Sequence, residues 1–159
     1  MSRLASTLIL VGLSVSLIAG ESDPFTGTWR LNPRKSKYPP GTCPKAMTIV
    51  MESAGNGVRY RSETTQADGR RTEARYTADY DGAEAVVTAA TGLMAPVSLR
   101  RVDERTVIAS YQRGMQVIAV SRRTVSKNGQ YMTVVTTVTD KDGNRATTTS
   151  AFDKVLAVR

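Results

Sequence analysis

Side chains able to do chemistry are few in this chain. It has no histidine and one cysteine, which removes Ser-His and Cys-His nucleophile pairs and the commonest general base. A zinc site would have to be built without imidazole and with a single thiolate. Cys43, in "PPGTCPK", has no neighbouring base to activate it and no partner for a disulfide, and reads as a small loop residue. Carboxylates stand close together at Asp103 with Glu104 and at Asp79 with Asp81. Both pairs fall in turns or on polar strand faces, where a carboxylate serves turn geometry rather than proton transfer. No phosphate-cradling glycine loop and no dinucleotide fingerprint is present. The inventory predicts a protein that is not an enzyme and that uses neither cofactor nor metal. A Tyr- or Lys-based isomerase is the catalytic class it leaves open.

Charge is the other chemical resource. Lys and Arg number 22 against 14 Asp and Glu, a formal net charge of +8, which could attract nucleic acid, anionic lipid or acidic polymers. Arg59, Arg61, Arg71, Arg75, Arg101, Arg113 and Arg123 are instead scattered among acidic residues, a distribution that predicts a solvated outer face. The densest clusters, "NPRKSK" and "SRRT", are short and lack interleaved aromatics, so no nucleic-acid partner is expected.

The elements that must position these residues begin after a leader. Met1-Ser2-Arg3 precedes an uncharged run rich in Leu, Ile, Val and Ala that ends at Ala19-Gly20. That pattern predicts a signal peptide over 1–20, cut near Gly20, and a mature domain over 21–159 in the periplasm or outside the cell. The run is shorter than a spanning helix needs and carries Ser6, Ser14 and Ser16, so no membrane span is expected after cleavage. Beyond it the side chains alternate with period two. Met47, Ile49 and Met51 alternate with Thr48, Val50 and Glu52; Tyr60 with Arg59 and Arg61; Ala74, Tyr76, Ala78 and Tyr80 with Glu73, Arg75, Thr77 and Asp79. Such segments are half-buried strands.

Asn-Gly or Asp-Gly pairs in "AGNG", "ADGR", "YDGA", "KNGQ" and "KDGN" predict tight hairpin turns. With weaker turns at "VDER" and "YQRGMQ", strands are expected over 28–32, 46–53, 58–66, 72–80, 85–89, 97–102, 106–111, 116–126, 131–139 and 145–155. The predicted fold is all-β: an antiparallel meander closed into an up-and-down barrel of about 8–10 strands, since closure hides the apolar face and removes the edges. A two-sheet sandwich would need longer crossovers than these turns allow.

Gly27-Thr28-Trp29 on the first strand resembles the G-x-W signature of lipocalins. The extended form "GTWRLNPRKSKY", with Leu31, Asn32, Lys35 and Ser36 and the regular Asp-Gly hairpins, is similar to a group of small bacterial secreted lipocalin-like proteins. Two departures stand out: "TADY" at 77–80 is too early and one residue too long for the lipocalin T-D-Y element, and no helix candidate follows the last strand. Independently of the family, a large flat ring beside a glycine can plug one end of a barrel; stacking on a ligand is the functional alternative for Trp29. The resemblance implies a basic side chain across that ring, with Arg122 or Arg123 as candidates.

These readings predict a monomeric domain that binds a small hydrophobic or amphipathic molecule, a lipid or fatty acid among the options, in the barrel. Candidate lining or mouth residues are Trp29, Lys35, Tyr38, Met47, Ile49, Met51, Tyr60, Tyr76 and Tyr80. A filled core with an envelope-structural or protein-interaction role is the alternative, because periodicity reports burial and not empty volume. The long connection over 33–45, with four prolines, is expected to overhang the mouth. There Arg34, Lys35 and Lys37 would face solvent and Tyr38 would close over the interior.

Overall fold

The structure is a computed structural model that describes residues 22–91 and 96–156. The predicted signal segment and its cleavage site lie outside the described residues. Among the described residues eleven strands follow one another: β1 (Gly27–Leu31), β2 (Ala46–Ala54), β3 (Gly57–Thr65), β4 (Arg71–Asp79), β5 (Asp81–Glu84), β6 (Val86–Ala90), β7 (Pro96–Asp103), β8 (Thr106–Arg113), β9 (Gln116–Val125), β10 (Tyr131–Thr139) and β11 (Arg145–Val155). All belong to one antiparallel sheet, ordered β5-β7-β8-β9-β10-β11-β1-β2-β3-β4-β6. The meander therefore joins its first strand to its last, with Trp29 opposite Lys154 and Leu31 opposite Phe152.

Ten strands were expected where eleven occur, and the difference lies in one segment. "YDGA" is not a hairpin turn. Gly82 takes φ +91°, the Ala83 N–H donates to Asp81 Oδ1 at 2.8 Å, and the chain leaves β4 to pair with β7, Asp81 opposite Arg100 and Glu84 opposite Ser98. After the buried Ala85 it returns to β4, Val86 opposite Thr77 and Ala90 opposite Ala74. The two ends of the sheet order, β5 and β6, are thus halves of one continuous segment, and the barrel is nearly closed.

The alternation sorts side chains as period two requires. On β3, Val58, Tyr60 and Ser62 are buried while Arg59, Arg61 and Glu63 are exposed. Of the hairpin pairs, "AGNG" works differently from expectation: Gly55, at φ +56°, supplies the positive φ, and Gly57 is the first residue of β3. A Cβ on Gly57 would sit 1.9 Å from the Ala78 carbonyl oxygen, so that position needs glycine for close approach and not for the turn.

The registers place the two barrel ends. The β2–β3 turn, the start of β8 and the end of β9 lie at one end. The β3–β4 turn, the β8–β9 turn and the start of β11 lie at the other. The first end is closed. Trp29 is 0% exposed and its Nε1–H donates to the Phe25 carbonyl at 2.8 Å. The segment before β1 folds under the barrel through Phe25 and is latched by Arg101, whose Nη2 lies 2.7 Å from Asp23 Oδ2. Arg101 also covers the Tyr80 ring at 4.1 Å. The basic group over Trp29 is Lys154, 5.0 Å from the ring centroid, in place of the expected Arg122 or Arg123. Lys154 comes from the strand paired with β1, which brings it closer to Trp29 than β9 can.

Candidate functional site

Above the closed end the barrel holds a cavity of about 300 Å³. Its floor is set by Met51, Tyr60, Tyr76, Arg123, Met132 and Phe152, and its walls rise through Ile49, Met47 and Val134 to a rim of Gln66, Thr72, Thr91, Val138 and Thr148. Each wall residue shares the inward parity of its strand, so the same alternation that makes the core also lines the space.

Six of the nine candidate residues meet at this cavity: Tyr38, Met47, Ile49, Met51, Tyr60 and Tyr76. Trp29 and Tyr80 belong to the packed end below it; the Tyr80 ring stands 6.4 Å from Phe25. Lys35 lies on the outer wall, with Nζ 3.3 Å from Asp153 Oδ1 and 4.7 Å from the Tyr131 ring centroid. The connection after β1 explains this split. Pro33–Lys35 form a single 3-10 turn capped by Asn32, which carries Arg34 and Lys35 alongside β11 and away from the mouth. Lys37 then bridges Thr149 through both backbone groups, at 2.7 and 2.8 Å. Only after that does the chain turn inward, where Tyr38 hydrogen-bonds Ser150 and the buried Pro44 reaches the cavity. Tyr38 lines the cavity from beside β11; Arg34, Lys35 and Lys37 are exposed, but Arg34 and Lys35 do not stand at the mouth.

The floor contains a residue that sequence reading assigned to the solvated face. Arg123 is 6% exposed. Its Nη1 donates to the Tyr76 hydroxyl at 2.8 Å and its Nη2 to the Tyr111 hydroxyl at 3.3 Å, and its guanidinium stands 5.2 Å from the Tyr60 ring centroid. Tyr60 and Tyr76 stack, with centroids 4.5 Å apart and planes 15° from parallel. Burial opposes the charge on Arg123, but Tyr76, Tyr111 and Tyr60 around it hold its pKa above the ordinary arginine value. Burial also pushes the Tyr76 phenol well above its usual range, against a smaller pull downward from Arg123, and Tyr60 moves the same way. At neutral pH the floor is therefore one cation among neutral phenols. The signal was present in "AVSRRTV": Ala119, Ser121, Arg123 and Val125 share one parity and are all buried, while Arg122 is exposed.

The remaining candidates for chemistry fall elsewhere. Asp103 accepts from the Arg105 backbone N–H at 2.9 Å within the β7–β8 turn, and hydrogen bonding to that N–H, followed by Thr106, lowers its pKa. Cys43 Sγ lies 3.6 Å from the Pro44 carbonyl in the loop. Neither touches the cavity. No protein-family model matches the chain, and no curated protein is significantly similar to it. The barrel geometry is thus the ground on which the site must be read.

Proposed function

We propose that this protein is a lipocalin-like carrier or receptor of the periplasm or extracellular space that holds a small hydrophobic or amphipathic molecule in its barrel. The observation that carries this reading is a cavity of about 300 Å³ in a barrel otherwise closed at one end by Trp29 and Phe25. Small-molecule sites are concave, largely apolar and furnished with a few convergent polar groups, and Met47, Ile49, Met51 and Val134 around Arg123 fit that description. At roughly 30 Å³ per water-sized unit, the cavity encloses about ten non-hydrogen atoms, so the end of a longer medium chain would emerge between the rim residues. Tyr38, hydrogen-bonded to Ser150, adds a polar group to the cavity wall.

The test is a titration of the purified chain with medium-chain amphiphiles, followed by calorimetry and by the thermal midpoint, beside a Val134→Phe variant that fills the cavity. Binding should stabilise the fold by about 2.7 kcal/mol at a hundredfold excess over Kd, and the filled variant should lose binding while keeping its melting temperature. No binding by the wild-type chain, or equal binding by the filled variant, would defeat the reading.

A further inference from the structure

From the charge balance of the cavity floor, and resting on the ligand-binding reading above, we infer that the ligand carries an anionic head, a monocarboxylate, and enters head first. The guanidinium of Arg123 then meets the carboxylate, flanked by the hydroxyls of Tyr76 and Tyr111, and the apolar tail extends toward the rim.

Among the described residues no carboxylate lies within 4.0 Å of Arg123. Glu73, the acidic residue that borders the cavity, is held by Arg75 at 3.1 Å. It lies three residues along β4 from Tyr76, roughly 10 Å at about 3.4 Å per residue, and on the opposite parity. A buried guanidinium without an anion is costly, because phenol dipoles solvate a charge without neutralising it.

Hydrogen-bond direction supports the same conclusion. Tyr76 and Tyr111 both accept from Arg123, and Tyr111 accepts a further, long bond from Ser121 Oγ at 3.5 Å. In these bonds each phenol oxygen is the acceptor, which leaves its own O–H free to donate. The floor thus has its guanidinium donors received by phenol oxygens, and phenol protons left over for a ligand. A planar carboxylate supplies two acceptor oxygens and the missing charge at once, and the fork of an arginine matches it. An alcohol head supplies acceptor capacity without charge, and an ammonium head meets a like charge.

The experiment compares dodecanoate, dodecanol and dodecylamine on the purified chain, one tail with three heads, by calorimetry. Dodecanoate should bind, dodecanol should bind at least about tenfold more weakly, and dodecylamine should not bind measurably. In Arg123→Met the dodecanoate affinity should fall by roughly thirtyfold or more, as expected for removing one partner of a buried charge pair. Dodecanol affinity should be retained, an exchange of preference that a merely structural arginine would not produce. Orientation is read on the wild-type chain, so a variant that fails to fold does not remove the test. Nuclear Overhauser contacts should join the methylene next to the carboxylate to the Tyr76 and Tyr111 ring protons, and the terminal methyl to Thr91 or Gln66 at the rim. Equal affinity for acid and alcohol, or the reversed orientation, overturns the head-first carboxylate while leaving the cavity a binding site. Failure of all three probes overturns the binding reading together with this one.

Discussion

Trp29 holds the closed end together through contacts of three kinds: ring burial, an Nε1–H bond to Phe25 and the cover of Lys154. Trp29→Ala removes the first and largest, and should cost about 3–5 kcal/mol in denaturant melts. Lys154→Met keeps the aliphatic cover and loses only the charge over the ring, worth about 0.5–1 kcal/mol at a partly exposed site. A Lys154→Met loss as large as that of Trp29→Ala would mean that the charge, and not burial, secures this end. The G-x-W glycine belongs to the same arrangement, since Gly27 sits at φ +126° and a Cβ there would stand 2.7 Å from Lys154 Cε. Sequence alone placed Trp29 in a plug because its size and position require burial. It did not find Lys154 because pairing of the first strand with the last is a property of closure that no local pattern encodes. Arg123 was legible by parity but was outweighed by its neighbours, since a charge on an apolar face is rare enough to be read as solvent-facing by composition.

At the scale of elements, hairpin rhythm recovered nearly every strand because Asp-Gly turns fix both the position and the register of the strands they join. The exceptions come from glycines that do something other than close a hairpin. Gly57 is one: Gly57→Ala drives a Cβ into the backbone of β4 and should destabilise the β2–β3–β4 corner. Gly143→Ala, with open space around it, should show only the strain of its positive φ, about 1 kcal/mol. Equal losses in paired thermal melts would show that the close approach at Gly57 is relieved by local adjustment. Gly82 is the other exception. There the same dipeptide bends the chain between two strands, so a turn signal became a change of partner, and the choice depends on β7 being available some fifteen residues later in the chain.

For the whole molecule, the absence of histidine and the set of shifted groups define a pH profile. Hydrogen bonds from Asn144 lower the pKa of Asp140, and hydrogen bonds from Asn32 and then Lys35 lower that of Asp153. Depressed carboxylates contribute stability that is present above their unfolded pKa and lost as pH falls through the folded one. Tyr60 and Tyr76 are raised by burial, so their contribution is present below the ordinary phenol value of 10.0 and lost as pH rises beyond it. The melting temperature should be flat through the neutral range, fall below about pH 4, and fall again above about pH 10. In the alkaline limb, phenolate absorbance from the buried tyrosines should rise together with loss of structure; ionisation ahead of unfolding would place them in contact with solvent. The seam between β1 and β11 has a kinetic consequence. Asn32 and Asp153, hydrogen-bonded at 2.7 Å, are 121 residues apart in the chain, so the nascent protein carries an unsatisfied first strand until its last one has been made. Closure must come late, refolding should be slow as for other topologies rich in distant pairings, and a chain lacking β11 should remain a protease-sensitive open sheet however long it is given to fold.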